Sequence, residues 1–229
     1  MEDVNQLTFK GTTTIGVVCR DGVILASDTR VTMGHFIAHK RGKKIYKIDD
    51  HLAMTISGTV ADAQRAVSLL KVNAQLYRLT YKRPMPVSSA ARLTANLLFS
   101  SRLAPMMTQV IIGGVDDTGP HVFCLDPFGS LTEEECVATG SGSPIAYGVL
   151  EDKYRKEASV KELLSIVVSA VNSAMKRDSA SGDSFDVAII DGKGYRELSE
   201  EEKRALLNPR PHAGSDVGRA KPDKGKGGD

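Results

Sequence analysis

Thr12 follows Gly11 in the run Gly11-Thr12-Thr13-Thr14-Ile15-Gly16, and a threonine can carry both halves of a nucleophilic site. If the chain is cut between Gly11 and Thr12, Thr12 keeps its hydroxyl and gains an α-amine, whose ordinary pKa of about 8 suits a general base near neutral pH. A buried cation beside it would hold the amine's pKa down and favour the ionised hydroxyl. Lys44 is a candidate, because the arm 43–48 falls in the same four-strand region as Thr12, and Asp28, at the end of the adjoining strand, can pair with it. Gly58, at a strand-to-helix turn, can offer a backbone N–H to an oxyanion. Of the three threonines only Thr12 can own a free amine, so Thr13 and Thr14 are read as β-branched strand residues.

Taken singly, each residue has an ordinary explanation. Threonine runs open many strands, Lys44 belongs to the basic run Lys40–Lys44, Asp28 can cap a turn, and Gly58 can simply need positive φ. Other chemistries are excluded by spacing. Neither G-x-x-x-x-G-K-[ST] nor G-x-G-x-x-G nor G-x-S-x-G occurs. The one i,i+4 histidine pair, His35 and His39, has no nearby carboxylate and reads as solvated loop rather than metal site.

The elements that must position these residues follow from the apolar pattern. Thr14–Cys19 and Val23–Ala26 read as a hairpin turned at Arg20-Asp21-Gly22, where Asp-Gly tolerates positive φ. A polar connection, Thr32 to Arg41, leads to a second hairpin, 43–48 and 52–57, which ends immediately before a long helix. That helix faces the core with Ala63, Val67, Leu70, Ala74 and Tyr77 and is stopped by Pro84 and Pro86. Another starts near Ser88, with Ala91, Leu93, Leu97 and Leu98 inward. Strands follow at Gln109–Ile112, closed by Gly113-Gly114, at His121–Leu125 and, more weakly, at Cys136–Thr139. Gly140-Ser141-Gly142-Ser143-Pro144 turns into a short helix. Capping boxes at Ser159/Glu162 and Ser199/Glu202 open two more, on either side of the strand Phe185–Ile190. Strands and helices in grouped runs indicate an α+β fold with helices covering antiparallel sheets.

The 229 residues are enough for one domain, and a net charge of +2 gives no reason to expect nucleic acid or an acidic membrane as partner. Cys19, Cys124 and Cys136 are odd in number and lack metal or redox spacing, as expected of reduced thiols in the cytoplasm. Residues 1–11 lack the apolar core of a secretory signal, and 209–229 is a Pro/Gly/Lys-rich segment read as a disordered tail.

Six segments, taken together, resemble the β subunits of the archaeal 20S proteasome over residues 8–207. They are Gly11–Gly16, Ser27-Asp28-Thr-Arg-Val-Thr32, Gly42-Lys43-Lys44, Ser57-Gly58 with Asp62-Ala63, Gly140–Pro144, and Arg177-Asp178-Ser-Ala-Ser181-Gly182. The resemblance implies an N-terminal-nucleophile hydrolase fold, a four-layer αββα sandwich over 12–208 behind a propeptide 1–11. It implies autocatalytic cleavage at Gly11–Thr12 and a threonine endopeptidase in which Thr12 attacks, with Asp28 and Lys44 as the catalytic acid and lysine. Ser141, Asp178 and Ser181 would hold the threonine amine and its water. Gly58 would serve the oxyanion, and Thr32 and Gly58 the strand-like binding of substrate. The pocket would be lined by Val31, Gly42, Ile56 and Val60, none charged, implying cleavage after apolar residues. No cofactor or metal is implied. The implied partners are heptameric rings of identical or related β subunits, α-subunit rings, an ATP-dependent unfoldase acting through those rings, and unfolded polypeptides, without nucleic acid or membrane. Two rivals are the bacterial dodecameric threonine protease of the same fold, and an uncleaved, purely scaffolding ring subunit. The paired Gly-Ser-Gly-Ser-Pro and Asp-Ser-Ala-Ser-Gly segments speak against the first, and Thr12, Asp28 and Lys44 together against the second.

Overall fold

A computed structural model describes residues 11–207; the expected leader apart from Gly11, and the expected tail at 209–229, lie outside the described residues. The elements in order are β1 (Thr14–Cys19), β2 (Gly22–Asp28), β3 (Val31–Met33), β4 (Phe36–His39), β5 (Ile45–Asp49), β6 (Leu52–Gly58), α1 (Val60–Tyr81), α2 (Val87–Ser100), β7 (Thr108–Asp116), β8 (Gly119–Leu125), β9 (Leu131–Glu133), β10 (Cys136–Thr139), α3 (Ser143–Lys153), α4 (Val160–Arg177), β11 (Phe185–Asp191), β12 (Gly194–Glu197) and α5 (Glu200–Leu207). They form two five-stranded sheets, β10-β1-β2-β11-β12 and β5-β6-β7-β8-β9, and a separate β3-β4 hairpin. Every pairing is antiparallel.

The layering is written into the alternation of the strands. In β2, Ile24 and Ala26 join Leu163, Val167 and Val171 of α4, whereas Val23 and Leu25 turn to Ala53 and Ile111 of the other sheet. A strand buried on both faces reads as an unbroken apolar run, which is why Val23–Ala26 shows no polar alternation. In β7, Val110 and Ile112 pack under α1 and α2 while Ile111 faces the opposite sheet. The result is helix, sheet, sheet, helix, the expected αββα sandwich.

Several local expectations need correction. Gly113 and Gly114 do not close a strand but lie inside β7. A Cβ on Gly113 would stand 2.8 Å from Val23 Cγ1 and 3.0 Å from Leu25 Cδ2, and one on Gly114 would stand 2.5 Å from the His51 carbonyl. Both glycines answer to close approach, not to a turn. Gly22 likewise has no positive φ. It opens β2 opposite Cys19, and a Cβ on it would stand 2.5 Å from the Ile190 carbonyl oxygen.

The polar connection at 32–41 contains the β3-β4 hairpin, too short and too exposed to show an apolar period. His35 and His39 are exposed there, and no cluster of potential metal ligands occurs among the described residues. On α2 the buried face is Val87, Ala90, Ala91, Thr94, Ala95 and Leu98, with Leu93 and Leu97 only partly buried. Small residues form the contact because they let the helix lie close to the sheet. Helix α1 ends at Tyr81, before the prolines, with Lys82 in the left-handed region at φ 56°.

We expect Gly113→Ala to cost about 1–3 kcal/mol through overpacking between the sheets. Urea unfolding of the unassembled chain should show a lower midpoint at unchanged slope. An unchanged midpoint would mean that the sheets can move apart there freely.

Candidate active site

β2 ends on Asp28, whose side chain has no solvent exposure and is ringed by four donors. Its Oδ1 accepts from the Thr13 amide at 2.9 Å and from Lys44 Nζ at 2.7 Å. Its Oδ2 accepts from the amides of Arg30 at 3.0 Å and Gly182 at 3.1 Å. Lys44 precedes β5 and therefore comes from the opposite sheet, not from the four-strand region that also holds Thr12. Its ammonium reaches Asp28 at the end of β2, the middle strand of the other sheet. Burial lowers the Lys44 pKa, and the Asp28 carboxylate opposes that shift.

Gly11, Thr12 and Thr13 lead into β1 through a corner shaped by glycines. A Cβ on Gly11 would collide with Ala180 Cβ, one on Gly140 with the Thr12 carbonyl, and one on Gly142 with Thr13 Oγ1. Thr12 is 4% exposed, and its amide donates to Ser141 Oγ at 3.2 Å. Ser141 and Ser181 both donate to Asp178 Oδ2, each at 2.6 Å. Asp178 caps the C-terminus of α4 and Ser141 lies just before α3, so the two helices over this sheet deliver the second carboxylate and its serines.

An open groove is lined by Gly11, Thr12, Arg30, Val31, Thr32, Lys43, Lys44, Ile56, Gly58 and Val60. It thus joins Thr12, Lys44 and Gly58 to four of the five other residues expected to bind substrate. Gly42 is outside the wall: it backs Val31, whose Cγ2 occupies the space a Cβ on residue 42 would need. Gly58 adopts φ +117°, and a Cβ there would strike the Met107 carbonyl, so both conformation and space demand glycine. Asp62, in the first turn of α1, accepts from the Met107 amide at 3.2 Å and steadies that corner.

Three participants were not visible as such in the sequence. Arg30 lines the groove and ties down the 178–184 loop, with Nε 2.8 Å from Asp183 Oδ2 and Nη1 2.8 Å from the Ser179 carbonyl. Asp183 takes φ +64°, and the Arg30 guanidinium holds its carboxyl below the ordinary range. Lys43 adds a third charge to the wall, beside Arg30 and Lys44, and pairs with Glu197. Thr13, expected in the strand, lies just before β1 and contributes its side chain, with Oγ1 2.7 Å from Ser181 Oγ. The only signal for these in the chain is their adjacency to Asp28, Lys44 and Thr12. The cysteines stay apart from the site; burial pushes the Cys19 thiol up to about 12 and those of Cys124 and Cys136 up to about 11.

Two antiparallel sheets between helix layers, with a glycine-threonine junction opening a central strand, define the N-terminal-nucleophile hydrolase class of fold. The model of the proteasome subunit family matches residues 8–190. Proteasome subunit beta of Methanosarcina mazei is 51% identical over 208 residues, 89% of this chain and 99% of its own. That of Ferroglobus placidus is 52% identical over 205 residues, 89% and 98% of the two chains, and that of Methanothermobacter thermautotrophicus 48% over 203, 88% and 96%. The chain belongs to the proteasome subunit family, with the proteolytic β subunits of the 20S core. No described helix is long and apolar enough to cross a membrane.

Proposed function

We propose that this chain is a threonine endopeptidase that makes its own nucleophile. The observation that carries the reading is the buried Asp28–Lys44 pair, which reaches into the groove where Thr12 lies with Gly11 still attached. While that bond is intact the Thr12 nitrogen is an amide and cannot act as a base. The Thr12 hydroxyl attacks the Gly11 carbonyl; the C–N bond breaks, an ester to Oγ forms, and the nitrogen takes up the hydroxyl's proton. Water then hydrolyses the ester, releasing the leader with a new carboxyl at Gly11 and leaving Thr12 with hydroxyl and amine free.

Peptide hydrolysis repeats the step on a substrate carbonyl. The Thr12 amine, directly or through a water, takes the proton from Oγ, and Lys44 stabilises the developing negative charge on oxygen. The Gly58 N–H serves the oxyanion. The departing amine of the substrate leaves with a proton, and water cleaves the acyl ester. Asp28 fixes Lys44, while Ser141, Asp178 and Ser181 hold the Thr12 amine. Thr32 and Gly58 line the groove where an extended substrate adds as a strand. Val31, Ile56 and Val60 favour an apolar side chain, with Arg30 and Lys43 adding charge to the same lining. The working particle is a stack of heptameric β rings and α rings in the cytoplasm, fed with unfolded polypeptide by an ATP-dependent unfoldase.

Intact-mass measurement of assembled particles tests this. We expect the mature chain to begin at Thr12 and to cleave peptides after apolar residues, and Thr12→Ala to keep residues 1–11 and have no activity. A retained leader in inactive wild-type particles would overturn the reading and favour a scaffolding subunit.

A further inference from the structure

The short contacts around Asp178 favour one placement of the hydroxyl hydrogens, Ser141 Oγ lying 2.6 Å from Asp178 Oδ2 but 3.4 Å from the Thr12 carbonyl. A serine has a single hydrogen to donate, and a carboxylate has none. Ser141 and Ser181 each direct theirs to Asp178 Oδ2, at 2.6 Å. Ser141 Oγ is then an acceptor for the Thr12 nitrogen, 3.2 Å away. Ser181 Oγ is likewise left as an acceptor, so Thr13 Oγ1, 2.7 Å from it, is the donor.

That bond is sealed from solvent, since Thr13 and Ser181 are both 0% exposed. Gly142 leaves the room for it: a Cβ there would collide with Thr13 Oγ1 and lie 3.2 Å from Asp178 Oδ2. The main chain of Thr13 is committed to the other carboxylate. Its amide donates to Asp28 Oδ1 at 2.9 Å, and its carbonyl accepts from the Asp28 amide at 3.1 Å. Thr13 is therefore held by its backbone on the Asp28–Lys44 arm and by its side chain on the Asp178 arm. A valine of the same shape would fill the space and break only the second link.

We propose that Thr13 is a positioning residue for the reaction: by donating to Ser181, its hydroxyl sets where Asp178 and its two serines meet the amine of Thr12. The inference rests on the reading of Thr12 as the nucleophile. The charged groups around that amine are Asp28, Lys44, Arg30, Lys43 and Asp178; of these, Asp178 is the one whose placement depends on the Thr13 hydroxyl. A carboxylate held close favours the protonated amine, so releasing it makes the amine easier to deprotonate.

The test compares Thr13→Val with Thr13→Ser in assembled, full-chain particles, using a fluorogenic peptide and intact mass. Thr13→Val should lower kcat by about tenfold to a hundredfold, the scale of a small misplacement of reacting groups, with KM little changed. Its acid limb should move to lower pH. Thr13→Ser should restore both. If Thr13→Val stays unprocessed, leader retention replaces kcat as the readout, and Thr13→Ser should be processed. Full activity with an unmoved acid limb in Thr13→Val, or equal damage in Thr13→Ser, would overturn the proposal. Thermal midpoints supply a readout independent of catalysis: Thr13→Val should have little effect once Ser181→Ala is present. Additive midpoints would also count against it. Coupled midpoints in a wild type that never matures would instead refute the nucleophile reading and leave only a structural Thr13–Ser181 link.

Discussion

Lys44→Ala should abolish both leader removal and peptide hydrolysis, lowering kcat by about 10³-fold or more, at the upper end for loss of one preorganised electrostatic group. Lys44 is 6% exposed, and its ammonium lies 2.7 Å from a carboxylate that has no exposure at all. Deleting it leaves Asp28 ionised in the interior, which ordinarily costs about 3–5 kcal/mol. Three backbone amides still donate to that carboxylate, so the loss should fall near the lower figure. Lys44→Arg should recover part of the stability but not the activity, because a planar, permanently protonated guanidinium cannot replace a compact ammonium that can exchange its proton. Leader retention by mass and peptide turnover check both statements; a processed, active Lys44→Ala particle would remove Lys44 from the mechanism.

The same residue predicts a pH signature of stability. Burial depresses the folded-state pKa of Lys44 below its ordinary 10.5, so between those values the unfolded chain binds more protons than the folded one. The Lys44 contribution is fully present above 10.5 and is lost as pH falls through the depressed value. The stability difference between wild-type precursor and Lys44→Ala should therefore widen as pH rises through that window. A difference that stays flat would mean an undepressed lysine.

What the sequence disclosed and what it hid divide along a physical line. Thr12, Asp28, Lys44 and Gly58 could be chosen because their side-chain chemistry, or lack of a side chain, is explicit in residue type. How they meet could not, since Lys44 reaches Asp28 only after two separate sheets pack face to face. Periodicity recovers a strand; it does not say which sheet the strand joins. Gly22, Gly113 and Gly114 are ambiguous in the sequence for a related reason. A glycine needed for φ and a glycine needed for clearance look alike in the chain, and clearance is a property of a distant partner such as Val23 or Ile190. On α2, leucines outweigh alanines in any apolar count, yet Ala90, Ala91 and Ala95 make the tighter face. Thr13 was hidden by its own β-branching, which suffices to explain a threonine in a strand until its hydroxyl is seen to have a partner.

Asp28→Asn should be as damaging as loss of Lys44, although it changes a single atom. All four groups around the carboxylate are donors, two to each oxygen. An amide offers one acceptor oxygen and one NH2, so either orientation sets two donors against the NH2. If the NH2 replaces Oδ1 it faces Lys44 and the Thr13 amide; if it replaces Oδ2, the Arg30 and Gly182 amides lose their acceptor and the loop bearing Ser181 loosens. Two buried unsatisfied donors cost about 2–6 kcal/mol. Lys44 would also lose the charge that opposes its desolvation, so its pKa should fall further. The double variant Asp28→Asn with Lys44→Met separates the two roles. It should be more stable than the sum of the single losses, because no unpaired charge remains in the interior, yet should stay unprocessed and inactive. Additive losses in the double variant would mean that the pair does not act as a unit; recovered activity would place the catalytic charge elsewhere.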